Sequence, residues 1–248
     1  NAKLGHEPLF LGLGIVMTCR DYSVEQVQAS FLRPAGIEHA VIEVPPLDDT
    51  ELQEIAAAFP ALAVPLANAA LREILRNPYF IDKALQIPWN AGRALPENER
   101  DFRSVFWRQI VRADQNPADG MPRLREVALQ ELAVRRARAL SDYVPATGLN
   151  AAAIALLKQD SLVVSPDTNA LLVATAHDVL EDWAILQWIE EQHLTDETAF
   201  KALSSAIGPH PAVRRSYRKW VAELVDRDAP AADRLFSAAI AQADVPAQ

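Results

Sequence analysis

The stretch Leu162-Val163-Val164-Ser165-Pro166-Asp167-Thr168-Asn169-Ala170-Leu171-Leu172-Val173-Ala174 decides the fold of this chain. Its two apolar ends predict short strands, Leu162 to Val164 and Leu171 to Ala174, and the polar residues Ser165 to Asn169 between them predict a turn. A helical pattern precedes this hairpin, from Asn150 to Lys158, and another follows it, from Asp178 to Gln192. A helix that leads into a hairpin with a polar turn is typical of a winged helix.

The predicted winged-helix domain spans residues 116–195 and begins with a long helix, Leu124 to Leu140. In its last helix, Trp183, Leu186 and Ile189 recur at helical spacing, so we expect these three side chains to face the core. The domain is expected to pack against the helices that precede it in sequence.

Residues 48–115 are predicted to form a helical domain, because the pattern changes to helices after Pro45. Asp49 or Thr50 is expected to cap its first helix, and Asp101 its last. The predicted helices are Glu51 to Phe59, Ala67 to Leu75, Pro78 to Leu85, and one after Asp101 that carries Phe102, Val105, Phe106, Ile110 and Val111.

Residues 196–248 predict three amphipathic helices, which are separated by Gly208-Pro209 and by Asp228 to Pro230. We expect them to start a helical array that binds a protein partner. The second helix has an apolar stripe made of Val213, Tyr217, Trp220, Val221 and Leu224. Its other side carries a basic cluster, which either faces solvent or contacts an acidic partner: Arg214, Arg215, Arg218 and Lys219.

The N-terminal residues have a different pattern. Leu13 to Cys19 predicts a short buried strand, Val24 to Leu32 a helix, and His39 to Val44 a second strand. Two strands joined by a helix are part of a parallel α/β unit, and a parallel sheet covered on both faces needs more than two strands. We therefore expect residues 1–47 to be the remnant of an α/β domain whose other strands lie upstream. The predicted fold class is mainly α with a small α/β remnant.

Composition limits the possible functions. The chain has 248 residues, half of them hydrophobic, and a net charge of −9, which disfavours nucleic acid as a partner because a phosphate backbone is also negative. It has one cysteine and begins with no apolar leader, so we expect a cytoplasmic location. Its longest apolar run, Leu9 to Cys19, is shorter than the roughly 20 residues of a membrane-spanning helix, so no membrane partner is expected.

No complete catalytic site is visible in the sequence. A Gly-rich loop followed by Lys-Ser or Lys-Thr is absent, and the histidines have no metal-ligand spacing. Acidic pairs such as Asp48-Asp49 and Glu190-Glu191 lie at a helix start and on a helix face, where capping and solvation explain them. We therefore predict no catalytic residue and no metal site in this chain.

Four short patterns occur in one order along residues 9 to 195, and together they resemble the signal-transducing NTPases called STAND. This class includes plant disease-resistance proteins, apoptosome scaffolds and many bacterial defence ATPases. The four patterns are Gly14-Ile15-Val16-Met17-Thr18-Cys19-Arg20, Val44-Pro45-Pro46-Leu47-Asp48-Asp49-Thr50-Glu51-Leu52, Leu75-Arg76-Asn77-Pro78-Tyr79-Phe80-Ile81-Asp82 and Ala176-His177-Asp178-Val179-Leu180-Glu181-Asp182-Trp183. The resemblance implies the C-terminal part of a bacterial STAND-type NTPase, without its Walker A and Walker B motifs.

The resemblance also implies three nucleotide-binding residues. Arg20 resembles the sensor arginine at the γ-phosphate, and Pro78 the proline of the helical lid that packs near the adenine and ribose. His177 resembles the histidine that reaches the β-phosphate of ADP and latches the closed state. The chain departs from the family at Arg76-Asn77, which replace Gly-Leu before the proline, and at Ala176, which replaces methionine.

Each of these residues also has a purely structural interpretation. Arg20 is then a solvated or salt-bridged side chain, and Pro78 an ordinary proline in a first helical turn. His177 is then structural, beside a capping pair formed by Asp178 and Glu181.

The expected function is the regulatory portion, lid and winged helix, of a nucleotide-dependent switch in signalling or defence. The implied cofactor is ATP or ADP, bound weakly or not at all by this chain alone, and the implied partner is the upstream NTPase domain of a slow ATPase. Two alternatives are a winged-helix DNA-binding regulator and a helical protein-binding adaptor. The first requires a basic recognition helix, whereas Asn150 to Lys158 has one basic residue.

Overall fold

A computed structural model describes residues 16–17, 24–89, 94–115, 120–192 and 203–243. The chain divides after Pro46 into two compact units. In the first unit, helix α1 (Val24–Val27) continues as a π-helical turn, Gln28–Leu32, as expected.

The predicted strand His39–Val44 is wrong, because residues 37–46 of the first unit have no regular secondary structure. A strand needs a neighbour to satisfy its backbone amides and carbonyls, and the described residues of this unit supply none. The side chains of Ile42 and Val44 are more than four-fifths exposed, and that of Val41 is 59% exposed. The other predicted strand, Leu13 to Cys19, lies outside the described residues except for Val16 and Met17, which have no regular structure.

The second unit is mainly helical and contains a small antiparallel sheet. Its helices before the sheet are α2 (Asp49–Ala58), a 3₁₀ turn (Pro60–Leu62), α3 (Ala63–Ala67), α4 (Ala69–Leu75), α5 (Pro78–Leu85), α6 (Glu99–Phe106) with a π-helical extension (Trp107–Val111), and α7 (Met121–Ala139). Then follow β1 (Val144–Pro145), α8 (Ala151–Gln159), β2 (Val163–Val164), β3 (Leu172–Thr175), α9 (Asp178–Gln192), α10 (203–207), α11 (Pro211–Arg227) and α12 (Ala229–Ala243).

The predicted hairpin is confirmed. Strands β2 and β3 pair antiparallel, with Val163 opposite Thr175, and β1 pairs with the other edge of β3, with Val144 opposite Val173. The strand order is therefore β1-β3-β2. In sequence, the elements run helix, strand, helix, strand, strand, helix, and the two hairpin strands lie within one residue of their predicted bounds.

Helix caps explain where two helices begin, and they correct two predictions. Asp48, not Asp49 or Thr50, caps α2: its carboxylate accepts from the amide of Glu51, whose own carboxylate accepts from the amide of Asp48. Asn98, not Asp101, caps α6. In both cases a polar residue slightly earlier in sequence takes the extended backbone that a cap requires.

Helix α7 lies at the centre of the second unit and packs against α8, α9, α11 and β3. A buried carboxylate, that of Glu126, also lies on this helix. Glu126 is only 2% exposed and accepts hydrogen bonds from the Trp107 indole at 2.7 Å, from Arg123 at 2.8 Å and from Arg112 at 3.1 Å. Because three donors surround this carboxylate, its burial is compensated.

An aromatic cluster joins α5, α6 and α9. Trp183 is buried, as predicted, together with Leu186 and Ile189. The rings packed on Trp183 are Phe80, stacked with centroids 5.1 Å apart, Phe106 edge-on at 5.5 Å and Phe102 edge-on at 6.0 Å. Edge-on and stacked arrangements are those that aromatic quadrupoles favour.

The C-terminal helices follow their predicted pattern. In α11, Val213, Trp220 and Leu224 are buried, whereas Tyr217 and Val221 are partly buried. Two residues of the basic cluster make ion pairs within the chain: Arg215 with Asp182 at 2.6 Å, and Lys219 with Glu99 at 2.6 Å. Among the described helices, none combines the length and apolar composition that crossing a bilayer requires.

The side chain of Arg125 on α7 caps the end of the π-helical extension of α6. It is 4% exposed and donates to the carbonyls of Val111 at 2.7 Å and Ile110 at 2.8 Å, which end the π-helical extension of α6. Arg125→Met leaves both carbonyls buried without this donor, so we expect a loss of about 2–3 kcal/mol in the free energy of unfolding, measured by urea denaturation.

Arg135→Met is the matched control, because Arg135 lies on the same helix but is partly exposed and bonds Thr147 and Glu131 at the surface. It should lose less than about 1 kcal/mol. Equal losses in the two variants would contradict the capping role of Arg125.

Candidate functional site

Two of the three predicted nucleotide-binding residues are brought together. Pro78 starts α5, His177 directly precedes α9, and the residue after the proline, Tyr79, stacks on the His177 ring. The ring centroids of Tyr79 and His177 are 4.1 Å apart, and the planes are tilted by 17°. Arg20 lies outside the described residues. We call Pro78, Tyr79 and His177 the junction.

The α5 side of the junction is fixed by a cap. Asn77 has extended backbone, and its side-chain oxygen accepts from the amide of Tyr79 at 3.0 Å. Pro78 occupies the first helical position, where its missing amide hydrogen leaves nothing unpaired, and its side chain is exposed. The proline therefore has an ordinary structural explanation, and it also presents an apolar surface beside the Tyr79 ring.

The α9 side of the junction is capped by His177 itself. Its carbonyl accepts from the amides of Leu180 and Glu181, and its Nδ1 accepts from the amide of Val179 at 3.2 Å. The capping side chain is thus the imidazole, where the structural interpretation of the sequence named Asp178 and Glu181. Because a backbone amide always donates, Nδ1 carries no proton in this arrangement, and the proton of the neutral ring is on Nε2.

The hydroxyl of Tyr79 is buried, and it has no hydrogen-bond partner among the described residues. Burial raises the pKa of this phenol above its usual range, and the carboxylate of Asp82 raises it further. The ammonium of Lys83 lies 5.6 Å from the centre of the Tyr79 ring and 2.9 Å from Asp82. Lys83 is only 3% exposed, so a buried positive charge lies close to the junction.

A partly buried arginine on α7 contacts both ends of the turn that carries His177. Arg136 donates to the hydroxyl of Thr175 at 2.5 Å, and the same nitrogen lies 2.6 Å from a carboxylate oxygen of Glu181. The contact with Glu181 is electrostatic and not a directed hydrogen bond, since that oxygen has no hydrogen-bond partner among the described residues. Arg136 therefore bridges the end of β3 and the first turn of α9.

The ionisation of Glu181 reflects its burial. Burial raises the pKa of its carboxyl above the value near 4.5 of an exposed glutamate, and the guanidinium of Arg136 only partly opposes this effect. Glu191, near the end of the same helix, has the opposite shift. Burial would raise its pKa too, but hydrogen bonds from Arg123 and Gln130 outweigh burial and lower it.

The junction combines partial and full charges of both signs. The N-termini of α5 and α9 meet there through the stacked rings, and each N-terminus carries partial positive charge from its helix dipole. The buried ammonium of Lys83 is paired with the carboxylate of Asp82 at 2.9 Å, so its positive charge is largely offset. The described residues contain no group of three or more side chains placed to hold a metal ion.

The sequence predicted Pro78 and His177 as site residues. It did not predict Tyr79, which stacks on His177, or Arg136, which contacts the turn that carries His177. Tyr79 lay inside a quoted pattern, yet its role needed the contact with His177, which is distant in sequence. Arg136 had no local signal, because several arginines share the same helix and only packing shows which one lies beside Glu181.

A scan against models of known protein families finds no match to this chain, and a search of curated proteins finds none either.

The opposite shifts of Glu181 and Glu191 predict opposite effects of pH on stability. A glutamate with a raised folded-state pKa binds its proton more tightly when folded, so its contribution falls as pH rises from about 4.5 through the folded value. The stability difference between wild type and Glu181→Gln should therefore fall with increasing pH in that window. Urea denaturation at several pH values measures it.

Glu191→Gln is the control on the same helix. Its carboxylate, with a lowered pKa, stabilises the fold above about pH 4.5 and loses that effect as pH falls through the folded value. The difference between wild type and Glu191→Gln should therefore rise with pH below that point. If the stability difference from wild type changed with pH in the same direction for both variants, the opposite pKa shifts of Glu181 and Glu191 would be contradicted.

Proposed function

We propose that this chain is the regulatory portion of an ATP-binding STAND NTPase, a nucleotide-dependent switch in signalling or defence. The observation that carries the proposal is the stack of Tyr79 on His177. The stack joins the helix starts that carry Pro78 and His177. The family resemblance implies that these two residues contact the adenine side and the phosphate side of one nucleotide.

The element order supports a winged helix as the second part of this switch. Helix α7, strand β1, helix α8, strands β2 and β3, and helix α9 follow one another in sequence, and the polar connection between β2 and β3 corresponds to the wing. Helices α2 to α6 then form the lid. His177 lies where the last strand of the wing enters the last helix of the domain.

The chemistry of the junction favours a phosphate. An Nε2–H group is a hydrogen-bond donor, and a phosphate oxygen is an acceptor with negative charge, so the bond between them is charge-assisted. The two helix N-termini add partial positive charge around it. We propose ADP or ATP as the ligand, with its β-phosphate at His177.

The main phosphate cradle has to come from another segment. These 248 residues contain no Gly-rich loop with a following Lys-Ser or Lys-Thr, and such loops supply most of the oriented donors for a triphosphate. We propose that an NTPase domain supplies this loop and that hydrolysis there is slow. The described chain contributes the residues that distinguish the bound states.

The DNA-binding alternative is disfavoured by the exposed side of α8. Three of its four exposed residues, Ala151, Ala152 and Ala155, cannot hydrogen-bond base edges or pair with phosphates, and the fourth is the uncharged Gln159. The one basic residue, Lys158, donates to the carbonyl of Ala170 in the wing.

The C-terminal helices, with an open cleft lined partly by Ile207, Pro209 and Tyr217, are the better place for a protein partner.

The chain alone should bind ADP and ATP weakly or not at all, because it lacks the phosphate cradle. Calorimetry with each nucleotide tests this expectation. Fusion of the chain to the NTPase domain encoded upstream, where one is found, should restore binding. A submicromolar affinity of the chain alone would overturn the placement of the main site elsewhere.

In a protein that includes the NTPase domain, His177→Ala should release ADP faster and raise assembly without a trigger. One charge-assisted hydrogen bond contributes about 1.5–3 kcal/mol, which corresponds to roughly a ten- to hundredfold change in the ratio of closed to open states. Stopped-flow ADP release and light scattering measure the two effects.

His177→Asn separates the switch from the cap. An asparagine oxygen accepts from the Val179 amide as Nδ1 does, so this variant keeps the cap of α9, but it has no group in place of Nε2–H. It should release ADP as fast as His177→Ala while staying about 1 kcal/mol more stable. Release at the wild-type rate would leave His177 with a capping role only.

A further inference from the structure

We infer that Tyr79 is a positioning residue for His177. Its ring holds the imidazole in the plane in which Nδ1 accepts the Val179 amide hydrogen and the proton stays on Nε2. The effect of Tyr79 on nucleotide release rests on the proposed function, whereas its effect on the imidazole does not.

The stack limits the tilt of the imidazole. The Val179 amide constrains the position of Nδ1 through a hydrogen bond of 3.2 Å. The Tyr79 ring, nearly parallel to the imidazole with its centroid 4.1 Å away, opposes tilting toward that face. The stack therefore adds a constraint on the tilt of the ring to the constraint that the hydrogen bond places on Nδ1.

Tyr79 can do this because it is itself held by the core. Its amide is capped by Asn77, and the next residue, Phe80, packs flat on Trp183. The tyrosine ring also contacts Phe80, with centroids 5.8 Å apart, and lies near the Lys83 ammonium. The stacking ring is therefore part of the packed unit, and it transmits the position of α5 to His177.

The ring and not the hydroxyl carries this role. The hydroxyl is buried and has no hydrogen-bond partner among the described residues, so it holds nothing in place. Tyr79→Phe keeps the stack, and we expect it to behave as wild type. Tyr79→Leu keeps apolar volume but has no planar face, and we expect it to free the imidazole.

The nitrogen NMR spectrum of the imidazole tests the inference on the chain as it is. The two ring nitrogens of a neutral histidine have well-separated ¹⁵N shifts when one tautomer dominates and approach each other when the tautomers mix. His177→Asn identifies the His177 signals among the five histidines of the chain. Wild type and Tyr79→Phe should show one dominant tautomer with the proton on Nε2, and Tyr79→Leu a mixture.

Tyr217→Leu is the matched control, because Tyr217 also stacks on an aromatic ring, that of Trp220 at 5.8 Å, but on α11. It should leave the His177 signals unchanged. An unchanged tautomer in a folded Tyr79→Leu variant would overturn the inference, and so would a mixed tautomer in Tyr79→Phe, which stays available if the leucine variant does not fold.

ADP release from the protein with its NTPase domain separates the inference from the proposed function. Tyr79→Leu should release ADP roughly two- to tenfold faster than wild type, with Tyr79→Phe at the wild-type rate. A freed imidazole with unchanged release in both Tyr79→Leu and His177→Asn would support the positioning role and refute the nucleotide switch. Faster release in His177→Asn with wild-type release in Tyr79→Leu would refute the positioning role alone.

Discussion

The arrangement of the helices depends on the packing around the Trp183 indole, which is 1% exposed. Three phenylalanine rings meet on it, from two other helices: Phe80 of α5, and Phe102 and Phe106 of α6. Because each pair adds about 0.5–1.5 kcal/mol beyond its buried area, α5 and α6 are strongly held on α9. The indole nitrogen also donates to Glu99, which pairs with Lys219, so the same tryptophan draws α11 to this core.

The junction is a consequence of this core. Phe80 and Tyr79 are neighbours in sequence, so seating Phe80 on Trp183 fixes the path of α5 beside the start of α9. There Tyr79 meets His177. From α7, Arg136 contacts both Thr175 and Glu181, which limits how far the turn between β3 and α9 can move. The position of His177 is thus set by packing from α5 and by charge from α7.

Local signals in the sequence were enough for the hairpin and for α9, whose ends the structure reproduces, because apolar runs and polar turns act over a few residues. The caps were missed by a short distance, since Asp48 and Asp49 have the same side chain and only the backbone decides between them. The strand His39–Val44 failed for another reason. A strand depends on a partner strand, and a pattern in one segment does not show whether that partner is present. The pairing of Tyr79 with His177 likewise needed the fold.

Two aromatic pairs differ in the free energy that their separation requires: Phe80 with Trp183, the inner pair, and Tyr79 with His177, the outer pair. Burial of one large aromatic side chain stabilises a fold by about 1.5–3 kcal/mol, and its stacking adds to this, so separating Phe80 from Trp183 would cost more than one nucleotide hydrogen bond supplies. The outer stack is different, because Tyr79 and His177 are only partly buried. The proposed bond from Nε2–H to a phosphate is therefore comparable in free energy to the outer stack, whereas it is too small to separate the inner pair. A rearrangement that moved α5 away from α9 as a whole would need further free energy, such as that of binding a protein partner.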